Sequence, residues 1–259
     1  MSQDDQSDTR GLQQSRPNEV GVFATRVISA LRERQVVCSD GVRQFVLDHL
    51  VRAILTPGDC DPAQLFEELR GHRLTVDAVI DLYIPRAACC LGQSWVDDDI
   101  TFADVTVGAL RLQALLEEAS AQSRLELVTN DARLRAIVVL PRGEQHFLGV
   151  SVVAAQLRRM GCEVSVSFDE CLDALSARVI EEQPDMVLIS CSRRETLETI
   201  KETVQVIRQV PMGPMIALGG AVMLDTDDLK ERTGVDIVTG TAKDAVAFCS
   251  KRAHALSRL

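Results

Sequence analysis

Residues 144–149 read Glu-Gln-His-Phe-Leu-Gly and place a carboxylate two positions before one of only four histidines in the chain. A carboxylate that close can orient an imidazole and raise its basicity, the arrangement that commonly backs a metal-bound histidine. Three residues after His146, Gly149 carries no side chain, so backbone can come close to a bound group. About 40 residues on stand Ser190 and Ser192, and about 26 further the pair Gly219-Gly220. Small hydroxyls can hydrogen-bond a ligand, and two adjacent glycines leave a slot free of side chains. Taken singly, a loop histidine is equally a surface residue, a Gly-Gly pair a turn, and Ser190 a helix cap.

These residues need a scaffold that gathers them, and the apolar patterning supplies one. From Leu134 onward short apolar runs alternate with helical patterns: strands at 134–140, 162–168, 185–190, 214–220 and 235–240, and helices at 147–160, 171–183, 194–209, 221–233 and 242–257. Five such β-α units predict a parallel sheet covered by helices on both faces, with right-handed crossovers and the flavodoxin-like strand order. In open α/β sheets ligands bind beyond the carboxyl ends of the strands. Glu144 and His146 fall after the first strand, Ser190 and Ser192 after the third, Gly219 and Gly220 after the fourth, and Thr239 and Gly240 after the fifth. No GxGxxG follows the first strand and no Walker A pattern occurs, so a dinucleotide or P-loop site is excluded.

Upstream the periodicity is helical throughout, in segments 20–35, 39–56, 61–74, 76–98 and 101–126, with Ser39 and Asp40, Asp61 and Thr101 as N-caps. Asp104, three residues after Thr101, completes a capping-box pattern. Pro85 is expected to start or kink a helix. Residues 1–18 are polar and read as a disordered arm, 19–128 as a helical bundle and 134–259 as the α/β domain, joined near 127–133.

A net charge of −10 and 3% aromatic residues argue against direct nucleic-acid contact and against an anionic membrane surface. Eight cysteines without a CxxC indicate neither zinc nor a disulfide framework. Without a signal peptide or a long apolar run, the expected location is the cytoplasm. The serines lack a His-acid pair in neighbouring loops, so a standalone enzyme is not expected.

The order E-x-H-x-x-G, S-x-S, G-G resembles the cobalamin-binding domain, whose pattern is D-x-H-x-x-G, S-x-L, G-G at similar intervals. The resemblance implies vitamin B12 as cofactor, hydroxo- or adenosylcobalamin, with His146 as axial cobalt ligand in place of the dimethylbenzimidazole and Glu144 behind it. The displaced nucleotide tail would enter a slot lined by Gly149, Ser190, Ser192, Gly219 and Gly220, with Gln145, Phe147, Thr239 and Gly240 alongside. Segment 91–116 resembles the bundle that precedes such domains, where a tryptophan covers the corrin's upper face; Trp95 is the chain's single tryptophan.

Two departures from the family pattern stand out. Glu144 replaces the aspartate, and Ser192-Arg193-Arg194 replaces an apolar residue and its neighbours. Where light-sensing relatives carry a histidine after the tryptophan, this chain has Asp97, Asp98 and Asp99. The combination resembles the photosynthesis-gene antirepressors of purple bacteria, which bind cobalamin or, in some members, haem. That implies a light- or redox-responsive transcription regulator, a possible photoreceptor, that lacks its own DNA reader and acts through a DNA-binding repressor. A corrinoid methyl carrier of a methyltransferase system and a haem-binding redox sensor on the same fold are the alternatives. A mutase subunit would need a substrate barrel that the chain lacks, and a decayed site would leave a ligand-free interaction module.

Overall fold

A computed structural model describes residues 41–124, 134–144, 146–211, 213–224 and 228–256. The expected arm at 1–18, the first helix at 20–35, the caps Ser39 and Asp40, the joint at 127–133 and Gln145 lie outside the described residues. The chain divides into two units, Met1–Phe45 and Val46–Leu259, and the described helices and sheet beyond Phe45 fall within the second.

The first described helix, α1 (Gln44–Leu55), buries Val46, Leu47, Leu50 and Ile54, one face at helical spacing. The Arg111 guanidinium donates to the carbonyls of Ile54 and Thr56, at 2.8 and 2.7 Å, and to that of Gly58. In this way it satisfies acceptors that the helix end leaves over. Asp61 caps α2 (Pro62–Gly71) by accepting from the Ala63 amide at 2.9 Å, with Pro62 as the first helical residue. Thr75 caps the short α3 (Val76–Ala78), which runs through a widened π turn, Val79–Tyr83, into α4 (Ile84–Val96). Pro85 accounts for the widening. It has no N–H to give the Asp81 carbonyl and its ring crowds that group, so the ladder re-forms as Ile84 N–H to the Val79 carbonyl, five residues back.

Thr101 and Asp104 form the reciprocal cap expected of them. The Asp104 amide donates to Thr101 Oγ1 at 3.2 Å, and the Thr101 amide to Asp104 Oδ2 at 2.9 Å. They start α5 (Phe102–Arg124), which buries Leu112, Leu115, Leu116 and Ala119. Gly108 lets α5 approach α4, because a Cβ there would stand 2.8 Å from Leu91 Cδ1.

The α/β layer consists of β1 (Arg135–Leu140), α6 (Phe147–Arg159), β2 (Glu163–Phe168), α7 (Leu172–Glu182), β3 (Met186–Ser190), α8 (Leu197–Arg208), β4 (Met215–Gly219), α9 (Leu229–Thr233), β5 (Ile237–Val238) and α10 (Ala242–Leu256). All strand pairs are parallel and the order is β2-β1-β3-β4-β5, the flavodoxin-like order expected. Alternate residues of β1 feed two cores. Ile137 and Val139 join Leu175, Val179, Ile200 and Ile207 of α7 and α8 on one face. Ala136, Val138 and Leu140 join Val150, Ala154 and Leu157 of α6 and Ala245 of α10 on the other. The single helix expected at 221–233 is instead a 3₁₀ turn, Ala221–Leu224, followed by the five-residue α9. Asp228, at φ 57°, cannot continue a right-handed helix into α9.

Candidate functional site

The chain leaves β1 toward β2 on one side of the sheet and later returns to β3 on the other. The loops at the carboxyl ends of β1 and β3 therefore diverge and open a crevice. A cavity of about 610 Å³ occupies it, well within the range that encloses a drug-sized ligand or the slender part of a larger one. The β1 loop contributes His146, and α6 lines one wall with Gly149, Val152, Val153 and Gln156. Ser190, Cys191 and Ser192 follow β3, Gly219 and Gly220 end β4, and Thr239, Gly240 and Thr241 lie beyond β5. A further wall comes from the helical half, from Asp81, Pro85, Ala88 and Cys89.

Glu144 sits beneath this cavity with its side chain fully buried. Its Oε1 accepts from the Ser192 amide at 3.1 Å and from the Thr196 hydroxyl at 2.7 Å, and its Oε2 accepts from the Ser192 hydroxyl. Burial alone would push this carboxyl up. The Ser192 and Thr196 hydroxyls and the Ser192 and Arg193 amides together outweigh it and hold the group below its ordinary range, hence ionised. His146 Nδ1 lies 3.7 Å from Glu144 Oε2, and its side chain is 65% exposed. His146 stands at the N-cap of α6 but its ring makes no capping bond, so the imidazole is spare. With Nδ1 on the carboxylate side, Nε2 is the nitrogen left for a metal.

The two departures seen in the sequence meet in space. The longer acid at 144 and the hydroxyl at 192 are partners in one hydrogen-bonded group. Arg193, next in the chain, donates to the Gly143 carbonyl and ties the β3 loop to the β1 loop. Cys191 is fully buried. Burial pushes its thiol up and keeps it protonated, which suits a packing residue better than a nucleophile.

The glycines divide by purpose. A Cβ on Gly149 would meet nothing within 4 Å, so its bare backbone leaves open space at the cavity wall. Gly219 and Gly220 are required by the protein itself. A Cβ on Gly219 would come 2.8 Å from the Thr239 carbonyl, and one on Gly220, at φ 106°, only 2.2 Å from the Cys191 carbonyl. The pair pulls the ends of β3, β4 and β5 together and floors the cavity with backbone.

Two residues expected at the site are not brought into the cavity. Phe147 packs on Phe168, ring centroids 5.4 Å apart, at the edge of the sheet, and Leu148 lines the cavity instead. Trp95 lies beyond the lining residues on α4, 48% exposed, with its ring 6.2 Å from that of Phe102. Sequence reasoning missed Thr196, Gln156, Asp81 and Cys89. Gln156 was accessible, since 149, 152, 153 and 156 trace one face of α6. A spare imidazole over an ionised carboxylate, open space beside Gly149 and a backbone floor together fit the lower side of a corrinoid.

The comparisons agree. The B12 binding domain family matches residues 134–249. A 20.5 kDa protein from the bchF-crtJ intergenic region of Rhodobacter capsulatus is 34% identical over 176 residues, which is 68% of this chain and 92% of that protein. The monomethylamine corrinoid protein of Methanosarcina barkeri superposes with a TM-score of 0.66 at 15% identity, over 80% of this chain and 98% of that one, a likeness of fold. No described helix is long and apolar enough to cross a membrane. The chain belongs to the cobalamin-binding family built from a helical bundle and a Rossmann-like B12 binding domain, together with the Rhodobacter capsulatus protein.

Proposed function

We propose that this chain is a cobalamin-dependent, light-responsive regulator of transcription, which works by binding a DNA-binding repressor rather than DNA. His146 would hold the metal through Nε2, while Glu144 fixes the ring from the Nδ1 side. Gly149, Ser190, Ser192, Gly219 and Gly220 accept the nucleotide tail, and Thr239 and Gly240 border it. Trp95, on the same helix as the cavity wall, would pack against the corrin. A bound cobalamin supplies an exchangeable upper ligand, which is how illumination enters. The observation that carries the ligand reading is the spare His146 imidazole beside the ionised Glu144 at a cavity bounded by Gly149.

The regulatory half rests on three supports. The net charge of −10 disfavours direct contact with nucleic acid. The relative that covers most of the chain comes from the bchF-crtJ region of Rhodobacter capsulatus, in keeping with a photosynthesis-gene setting. The cavity is walled by both halves, so an occupant bears on both, and a ligand that favours one arrangement of the halves shifts a partner's affinity.

The test is a mobility shift with promoter DNA and a purified photosynthesis-gene repressor from the same cell. The cobalamin-loaded protein should form no complex with DNA alone and should change the repressor's DNA affinity differently in light and dark. A specific nanomolar complex with DNA alone, or an effect on the repressor that is identical in light, dark and without cobalamin, contradicts the reading.

A further inference from the structure

Where the π turn of the helical half meets α6 beside the cavity, the contact is polar and centres on one carboxylate. Asp81 belongs to the π turn, and it is the only acidic residue among those lining the cavity. It accepts from the Arg159 guanidinium and, at 3.0 Å, from the Gln156 side-chain amide. Arg159 also bonds Asp77 in α3. The Arg159 side chain is only 13% exposed, and of its two partners Asp81, at 37%, is better shielded from solvent than Asp77, at 75%, so the Asp81 pair is the less screened of the two. Its Nε is buried without a hydrogen-bond partner among the described residues, a cost borne where its other nitrogens meet two carboxylates. Gln156 and Arg159 stand in the last turn of α6, the helix that starts just after His146. One side chain of the π turn thus touches the cavity and grips the helix that carries the histidine loop.

We infer that Asp81 is the coupling residue of the protein: the Asp81–Arg159–Gln156 cluster clamps the π turn of the bundle to α6, and cavity occupancy is transmitted to the bundle through it. This deepens the proposed function and rests on it for the identity of the ligand. A π turn is a natural place for such a device, since such turns recur at functional sites and Pro85 holds this one in the widened form that carries Asp81. A ligand edge that offers hydrogen-bond donors to Asp81 must share that carboxylate with Arg159 and so bears on the clamp.

Amide hydrogen exchange over residues 76–96 tests this in the full-length protein, with hydroxocobalamin as probe. In the ligand-free state Asp81→Asn and Arg159→Gln should each speed exchange there by roughly tenfold, the size of a strong pairwise coupling, and Arg159→Lys should restore part of the protection. In the wild type, hydroxocobalamin should change exchange over the same residues, and Arg159→Gln, a change outside the cavity lining, should abolish that response while retaining ligand. Equal responses in wild type and Arg159→Gln overturn the inference and leave the ligand reading intact. If the wild type takes up no cobalamin, the ligand reading falls, and with it the coupling. The clamp itself is then judged by the ligand-free comparison, where unchanged exchange in both variants overturns it.

Discussion

The floor of the cavity and its helical wall are built on different physical terms. The floor is over-determined. Gly220 is pressed onto the Cys191 carbonyl, Gly219 onto the Thr239 carbonyl, and a buried carboxylate collects donors from two successive residues of the β3 loop and from Thr196. The wall is small side chains, Pro85, Ala88 and Cys89, held by an ion-pair cluster at one end, with Trp95 and Phe102 largely exposed beyond the other. Stability is unevenly distributed in proteins, and segments that move are drawn from its low end. Under the proposed function, binding falls to the floor and response to the wall.

The sharpest way to break that contrast is in the floor. Gly220→Ala places a methyl 2.2 Å from a backbone oxygen at φ 106° and should destabilise the fold by roughly 3 kcal/mol or more, read as the shift in a urea unfolding midpoint. Gly219→Ala has a 2.8 Å clash and no φ penalty, so it should cost less, about 1–2 kcal/mol. If the two cost the same, or neither costs anything, the floor is not the tight element described.

Next come the donors to Glu144. Thr196→Val and Ser192→Ala should each cost about 1–2 kcal/mol at neutral pH in ligand-free protein. The native carboxyl is held below its ordinary range, so its contribution is complete above the unfolded-state value and is lost as pH falls through the native one. Wild type and variants should therefore converge in stability as the pH falls, and urea midpoints followed from pH 7 downward into acid check this. A gap of constant size across that range would separate the donors from Glu144.

The smallest effect belongs to the wall. Trp95→Ala removes a side chain that is 48% exposed and should change stability by less than about 1 kcal/mol, measured by thermal melting. Its expected signature is in the spectrum of bound cobalamin and its response to light. A large loss of stability would make Trp95 a packing residue of the bundle instead.

The fold was legible because apolar period and strand length speak directly to β-α repetition, and the order of strands followed from the rules for parallel sheets. The loop residues were legible because strand ends gather them: His146, Ser190, Ser192, Gly219 and Gly220 all reach one crevice. What stayed hidden depended on distance or direction. Asp81 and Cys89 reach the cavity from more than 50 residues before His146, through helix packing that no local pattern encodes. The direction of Phe147 was hidden too, since the first residue of α6 turns to Phe168, which only the position of β2 decides. Thr196 was hidden because a short 3₁₀ turn, Arg194–Thr196, brings it back over Glu144, and nothing in the sequence demands that turn.

The central claim is that His146 is the lower ligand of a bound cobalamin, and an ultraviolet-visible spectrum tests it most directly. Wild type and His146→Ala are mixed with hydroxocobalamin, or separately with haemin, and desalted. The account predicts corrin bands retained by the wild type, and for His146→Ala a loss of the histidine-ligated signature with a roughly hundredfold fall in affinity. Identical corrin spectra and affinities for the two proteins, or a retained Soret band without corrin uptake, would contradict it.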